Sequence, residues 1–452
     1  MLQTGWAMVD VTPKRPALLQ GQMHTRIASE ARDPLTFTAM AVRDTSSKET
    51  AILISGDMAM FSEELVKITR ERIIRHLPEI KPESIMMFAT HTHDSLVIES
   101  IWYPHPGGDV MTAEECFEWL VDKGAEVAIA AWRNLTPTAT ASALGQAMVA
   151  HNRRPVYAHG EAIMYGATNR PDFREIEGPS NHYLDMLFAW DPSGKLIGLI
   201  LSVPCPSQAE ENLNQFSADF WHETRMELRQ RLGSNLQILA LCGAGGDQSP
   251  HMILAGRAEA EMRRRRGLTE RQEIARRITN EVVSALECTT PIKAEDGQFS
   301  HACKNFNATP RTITRQEHDW AVTEAEASAK TNGTDNWWTK LLRQVADDFE
   351  GKAKIPPMPV EVHALRFGEL AITTSPFELF VDYAFQIIGR SPAQQTAVVQ
   401  LACGIGLYLP TPRGATHGSY GAMPAVAPIG PEGGQEVVEA SLELVSQLFP
   451  QR

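Results

Sequence analysis

The sequence lacks the features that mark several large classes of protein. It has no run of 18 or more apolar residues, so we expect no membrane span. It begins without a basic region followed by an apolar run, so we expect no signal peptide. Positive charge is in deficit, because 42 Lys and Arg stand against 55 Asp and Glu, for a net charge of -13. Sequence-independent binding to nucleic acid needs a basic surface, so that class is disfavoured.

Cysteine is also sparse. There are six cysteines in 452 residues, with no C-x-x-C pair and no spacing typical of a disulfide framework. Reduced thiols and a cytoplasmic location are the simplest interpretation, although a secreted protein trimmed to its mature start would look the same. The glycine-rich run at 243–246 lacks the Lys-Ser/Thr ending of a P-loop and is not a G-x-S-x-G elbow. Neither nucleotide binding by a P-loop nor a Ser-His-Asp hydrolase is therefore indicated.

What the chain does contain is an alternation of strands and helices. Short apolar runs at 36–42, 51–55 and 84–89 are of strand length, and stretches of helical periodicity follow them. We see no internal repeat and expect one domain over 1–452, with a charged helical insertion around 256–355 and no C-terminal β-domain. The predicted fold class is α/β, with layered mixed β-sheets flanked by helices.

Reactive side chains follow the ends of several predicted strands, which is where α/β folds build sites. In an extended chain His91 and His93 point to the same side, so one can bind a metal while the other faces a substrate. Two histidines satisfied by hydrogen bonds, and a buried structural Cys205, are the competing interpretations. The groups at strand ends are His91, His93, Cys205, Asp247, Ser249 and Glu378.

The run from Gly243 to Gly246 has two interpretations. It forms either a simple tight turn or a set of backbone N–H groups that face an oxyanion or phosphate.

A set of short motifs occurs in order along nearly the whole chain: Gly5 to Ala7, Asp10 to Pro13, Ala31 to Leu35, Ser55 to Asp57, Ala89 to His93, Asn152 and Arg153, Ser217 to Asp219, Gly243 to Pro250, Pro376 to Glu378 and Tyr408 to Thr411. Taken in order, these motifs resemble the N-terminal catalytic domain of the neutral (non-lysosomal) ceramidase family. The resemblance is carried by the ordered set rather than by any one motif. It is specific for the superfamily and not for ceramide.

The resemblance implies one zinc ion per chain, held by the first histidine of the motif and by a carboxylate. It implies that Tyr408 is a phenolic ligand of the zinc or a close neighbour of it. It also implies that His93 lies in the second coordination sphere or faces the substrate. It also implies active-site roles for Ser249 and Arg153. The implied ligands are therefore His91, Glu378 and Tyr408, and the implied catalytic residues are His93, Ser249, Arg153 and Tyr408.

Two positions depart from the family pattern. Cys205 stands where the family has a second ligand histidine, and a thiolate is a competent zinc ligand. Cys205 could instead be a nucleophile or structural, with His222 supplying the missing imidazole. Phe377 replaces a glycine beside the carboxylate, and that bulk would reshape the pocket.

Four residues are predicted to contact the substrate: Arg153, His105, His24 and Tyr420. The predicted partner is a small molecule, and a homo-oligomer is compatible with the sequence. The predicted function is a zinc-dependent hydrolase that cleaves an amide, ester or lactone through a metal-activated water. One alternative is a hydrolase or lyase acting on acidic carbohydrate, in which Arg153 and Arg154 bind a carboxylate. The other is a catalytically inactive binding protein.

Overall fold

The computed structural model describes residues 1–450. The strands are β1 Leu2–Asp10, β2 Ala17–Leu18, β3 Ile27–Ala28, β4 Thr36–Asp44, β5 Thr50–Gly56, β6 Ile85–Ala89, β7 Thr136–Pro137, β8 Ala139–Gln146, β9 His151–Asn152, β10 Pro155–Tyr157, β11 Phe173–Ile176, β12 Tyr183–Trp190, β13 Leu196–Val203, β14 Gln237–Cys242, β15 Gln248–Ser249, β16 Phe299–Ala308, β17 Met358–Phe367, β18 Leu370–Thr374, β19 Glu378–Leu379, β20 Gln395–Val399 and β21 Tyr408–Leu409. The α-helices are α1 Glu63–Ile74, α2 Ala113–Arg133, α3 Phe220–Leu232, α4 Gly256–Arg266, α5 Glu270–Glu287, α6 Arg315–Asn332, α7 Trp337–Phe349, α8 Val381–Arg390, α9 Pro412–His417 and α10 Pro431–Leu448.

The same succession of elements occurs three times along the chain. In the first unit β1, β4 and β5 are antiparallel neighbours, α1 follows, and β6 then pairs parallel with β5. The second unit repeats this order with β8, β12, β13, α3 and β14. The third does so with β16, β17, β18, α8 and β20. The expectation that the chain has no internal repeat is therefore wrong for its architecture.

Each unit is covered by a second helix that packs on its antiparallel strands. Helix α2 packs on β1, β4 and α1, helix α5 on β8, β12 and α3, and helix α10 on β16, β17 and α8. The helices start at residues suited to capping a helix N-terminus. Ser62 caps α1 through its side chain, and Thr112 forms a capping box with Glu115 at α2. The result is α/β, with mixed sheets flanked by helices, as predicted.

The last strands of the three units meet in the middle of the molecule. Isolated bridges join Phe88 to Ala402 and Gly243 to Val399, just at or beyond the ends of β6, β14 and β20. These strands are apolar and buried on both faces, as expected for central strands with parallel partners. Since each of them runs parallel to its neighbour, the carboxyl ends of three parallel pairs converge on one region, and the polar residues that follow them are brought together.

The region predicted as a helical insertion contains α4 to α7, and it also supplies β16. That strand pairs with β17 at ten positions, from Phe299 opposite Phe367 to Ala308 opposite Met358. Among the helices of residues 1–450, none combines the length and the apolar character needed to cross a membrane.

Candidate functional site

His91 lies just beyond the end of β6, and the fold determines which ring nitrogen it presents. Its backbone is left-handed, with φ of 64°, and its N–H donates to the carbonyl of Met58 at 2.9 Å. Nδ1 lies 2.7 Å from the carbonyl oxygen of Ala59, which can only accept, so Nδ1 carries a proton. Its Nε2 is thereby turned toward Glu378 and lies 3.2 Å from Oε2 of that carboxylate. The fold thus holds an imidazole nitrogen and a carboxylate oxygen in direct contact.

The Glu378 carboxylate and the Tyr408 phenol are held side by side. They are direct partners in the short parallel pair of β19 and β21, and both are buried. Burial alone would raise the pKa of Glu378, but His91, Arg153 and Tyr408 outweigh it and lower that pKa below its ordinary value. Burial and then Glu378 raise the pKa of Tyr408 well above its ordinary value. The centre therefore contains an ionised carboxylate beside a protonated phenol.

Gly246 lets the chain pass close to the backbone of Glu378. A Cβ atom at Gly246 would lie 2.3 Å from the backbone oxygen of Glu378, a clash between two pieces of backbone. Only glycine fits here, which gives that member of the glycine-rich run a packing role.

Arg153 is buried beside the phenol. Its Nη2 donates to the carbonyl of Gly246 at 2.9 Å and to the Tyr408 hydroxyl at 3.2 Å. Its guanidinium also lies over the rings of Tyr408 and Tyr165, at 5.8 Å from each centroid. The structure thus brings Arg153 into the same site as His91 and Glu378.

The neighbouring Arg154 has a different environment. Its guanidinium forms a fully buried ion pair with Glu177, at 2.6 and 3.1 Å, and donates to the carbonyl of Tyr420 at 2.7 Å. These partners hold the Arg154 guanidinium within the protein, which disfavours the suggested clamp of two arginines on one substrate carboxylate.

His93 contacts His91 edge to face, with ring centroids 5.1 Å apart. Its Nε2 lies 2.7 Å from Nε2 of Gln208, and its Nδ1 lies 3.2 Å from Oε2 of Glu211. A Cβ atom at Gly21 would lie 2.4 Å from the His93 ring, so the wall behind His93 requires glycine. Burial lowers the pKa of His93, although Glu211 opposes that effect.

Sequence reasoning missed Gln208 and Glu211. Both lie in the loop that follows β13, and the rule that polar residues after strand ends build sites would have found them had it been extended past Cys205.

Ser249 is buried in β15, opposite His151 of β9. Its hydroxyl accepts from the backbone N–H of His251 at 3.1 Å. Its predicted catalytic role stays a prediction.

The amides of the glycine-rich run are committed to the protein. The N–H groups of Gly243, Ala244 and Gly246 donate to the carbonyls of Val203, Val398 and Leu379, and that of Gly245 donates to Oε1 of Gln400. The interpretation that these four amides face an oxyanion is wrong, because each already has a partner, and the tight-turn interpretation holds.

Cys205 is fully buried in an apolar cluster, and its Sγ lies 3.5 Å from the carbonyl oxygen of the next residue, Pro206. Burial raises the pKa of this thiol well above its ordinary value. Its sulfur does not form, with His91 and Glu378, a set of ligand atoms within 4.8 Å of one another in residues 1–450. His222, in the first turn of α3, likewise joins no such set, so the fourth predicted ligand stays a prediction.

The predicted substrate contacts differ in where they lie. Tyr420 packs edge to face on Tyr408, with centroids 5.4 Å apart, so it borders the site. His24 is exposed on the segment before β3. His105 is exposed, and both its ring nitrogens bond within its own loop, to the N–H of Gly107 and the carbonyl of Val110. The contacts of His24 and His105 with a substrate stay predictions.

These contacts define an α/β protein in which converging strand ends hold a buried histidine, glutamate and tyrosine with an arginine beside them. Two solved structures share the fold. One is neutral ceramidase from Pseudomonas aeruginosa, with a TM-score of 0.73 and 15% identity over 99% of this chain and 74% of that one. The other is described as a ceramidase complexed with C2, with a TM-score of 0.72 and 16% identity over 99% of this chain and 75% of that one.

The chain therefore has the neutral ceramidase fold, as the sequence resemblance predicts. No protein-family model and no curated protein matches the sequence.

Proposed function

We propose that this protein is a metal-dependent hydrolase that cleaves an amide bond in a small-molecule substrate. The observation that carries the proposal is the arrangement at His91. Its Nδ1 is tied to a backbone carbonyl, and its Nε2 faces the Glu378 carboxylate at 3.2 Å, so a metal could take the place of the proton between them. A histidine that binds a metal through one nitrogen commonly donates the other N–H to such an acceptor. The shared fold with neutral ceramidases supports the same reaction class.

The donor set fits a zinc ion. His91 Nε2, the Glu378 carboxylate and the Tyr408 phenol provide nitrogen and oxygen donors in a buried place, and Glu378 has no arginine hydrogen-bonded to it within the described residues. Three protein ligands with one position open are typical of a catalytic zinc site. Zinc held there supplies a Lewis acid for a carbonyl and increases the acidity of water.

Arg153 would stabilise negative charge that develops on the substrate. Its guanidinium is buried and held on Tyr408 and on the carbonyl of Gly246, so it is already oriented before the substrate binds. A fixed donor in a water-poor site costs little reorganisation when charge appears, which makes its contribution large.

His93 would hold and move a proton. Glu211 lies beside Nδ1, which has no hydrogen-bond partner within the described residues, while Gln208 faces Nε2. An imidazole oriented in this way beside His91 is placed to act as a general acid or base. Ser249, buried on β15, would orient a reactant through its hydroxyl.

The alternative of an acidic carbohydrate substrate loses one of its supports. It needed Arg153 and Arg154 on one carboxylate, and Arg154 is bound to Glu177. The alternative of an inactive binding protein predicts no turnover with any substrate.

The experiment assays the purified full-length chain with N-acyl amides, lactones and uronic-acid glycosides, before and after removal of metal by a chelator. Cleavage of an amide that stops on chelation and returns with zinc supports the proposal. Undiminished amide cleavage in metal-free protein would contradict it. An absorbance rise from a new double bond with the uronic acids would assign a lyase instead.

A further inference from the structure

A second cluster of metal-binding side chains lies on the third sheet, apart from the site just described. Strands β16 and β17 are antiparallel, and Cys303 is directly opposite His363. Side chains two positions apart on a strand share a face, so His301 lies on the face of Cys303, and Glu361 on the face of His363. Directly opposite residues of an antiparallel pair also share a face. All four side chains therefore project from one side of this hairpin.

The distances show that these groups converge. Cys303 Sγ, a carboxylate oxygen of Glu361 and a ring nitrogen of His363 all lie within 4.8 Å of one another. His363 Nε2 lies 2.9 Å from Oε1 of Glu361, and His363 Nδ1 lies 3.0 Å from Nε2 of His301. Within residues 1–450, no other set of three His, Cys, Asp or Glu groups meets this condition.

We infer that Cys303, Glu361 and His363 form a binding site for a zinc-type divalent cation, with His301 as the residue that orients His363. A thiol, an imidazole and a carboxylate are the donors that zinc and cobalt accept, whereas calcium and magnesium take oxygen ligands. His363 is fully buried, and Cys303 and His301 are half-buried, so the cluster is closed at its base and reachable from solvent at its rim. The hydrogen bond between two histidine rings is the outer support that keeps a ligand histidine in one orientation.

Arg70 of α1 is the group that competes with a cation here. Its guanidinium donates to both oxygens of Glu361, at 2.6 and 3.1 Å. A carboxylate has about four lone-pair positions, so these bonds leave acceptor capacity facing His363 and Cys303. The positive charge of Arg70 weakens the attraction for a second cation, and we expect this site to bind metal less tightly than the His91 site.

The test titrates cobalt(II) into metal-free, full-length protein and follows the near-ultraviolet charge-transfer band of a cobalt–thiolate bond. The wild type should develop the band, Cys303→Ser should lose it, and Cys205→Ser should retain it, since Cys205 is the other thiol suggested as a ligand. His301→Ala should lower the affinity that the band reports by about 10–100-fold, the usual effect of removing an outer-shell partner. No band in the wild type, or a band that persists in Cys303→Ser, would overturn the inference.

A second measurement needs no substitution, so it decides the matter even if Cys303→Ser does not fold. Native protein is alkylated with N-ethylmaleimide with and without zinc, and each cysteine is quantified by peptide mass spectrometry. Zinc should slow the modification of Cys303 several-fold and leave that of the exposed Cys288 unchanged. Equal rates at Cys303 under both conditions would refute the site.

Discussion

Two histidine–glutamate pairs in this protein, one buried and one half-buried, are similar in distance and different in origin. His91 and Glu378 lie 287 positions apart in the chain, and the fold brings them to 3.2 Å. His363 and Glu361 lie two positions apart on β17, at 2.9 Å. The negative charge of Glu361 is balanced by Arg70, whose guanidinium donates two hydrogen bonds to the carboxylate.

Arg153, by contrast, donates to the Tyr408 hydroxyl and to the carbonyl of Gly246, not to the Glu378 carboxylate. The Glu378 carboxylate is thus more available for a cation than that of Glu361. The comparison teaches that the partner of a carboxylate, more than its burial, decides how tightly it can bind a cation.

The largest expected effect follows from removing the histidine of the first pair. His91→Ala should lower amide hydrolysis by at least about 10³-fold, because a catalytic metal supplies several kcal/mol of transition-state stabilisation. Steady-state kinetics and metal analysis of the same preparation check it. His76→Ala, an exposed histidine after α1, is the matched control and should behave as the wild type. Full activity in metal-free His91→Ala would contradict the role given to this pair.

The adjacent residues Arg153 and Arg154 sharpen the comparison, because Arg154 is bound to the Glu177 carboxylate and Arg153 is not bound to Glu378. Arg154→Met removes the buried ion pair of Glu177 and leaves that carboxylate with the His417 ring in place of a bidentate partner. Breaking a buried pair from one side should destabilise the protein by about 3–5 kcal/mol in urea unfolding. Arg153→Met should lower kcat by about 10²-fold or more with a smaller loss of stability, as expected for a fixed donor to developing charge. If the two variants showed the same pattern, the distinction between the arginines would be wrong.

A further buried carboxylate, that of Asp185, has neither histidine nor arginine hydrogen-bonded to it within residues 1–450. Burial raises the pKa of Asp185 to about 6, although a hydrogen bond from Gln395 opposes the shift. The folded state then binds the proton more tightly than the unfolded state, so this group's contribution to stability falls as the pH rises from about 4 to about 6.

Asp185→Asn should therefore add about 2–3 kcal/mol to the unfolding free energy at pH 7, with the gain vanishing below pH about 4. Urea unfolding across that pH range measures it. A gain that is independent of pH would mean that ionisation of Asp185 is not the cause.

The smallest expected effect concerns Cys205. Since its sulfur lies in an apolar cluster and forms no close set with His91 and Glu378, Cys205→Ala should cost about 1 kcal/mol of stability and leave metal content and turnover within about two-fold. Loss of one metal ion per chain in this variant would restore the thiol to the ligand set.

Sequence reasoning found the fold class and the side chains of the first pair, because the strands are continuous apolar runs and the site residues follow their ends in a recognisable order. It did not find the threefold repeat of elements. The three units share the order of their strands and helices, but they share no residue pattern from which the repeat could be recognised in the sequence.

Other features depend on tertiary contacts that spacing does not encode. The glycine-rich amides are occupied because β13 of the same unit supplies the carbonyl of Val203 and β20 of the third unit supplies that of Val398. The Cys303 cluster depends on the register of β16 against β17. Two helices lie between these strands in the chain, so the spacing of the residues does not reveal the register.

The most direct test of the central claim is a crystal structure of zinc-loaded protein with anomalous data collected at both sides of the zinc edge. The account predicts an anomalous peak in contact with His91 Nε2 and the Glu378 carboxylate, with Nδ1 still bonded to the carbonyl of Ala59. Absence of a peak there, in crystals grown from protein that hydrolyses an amide, would contradict it.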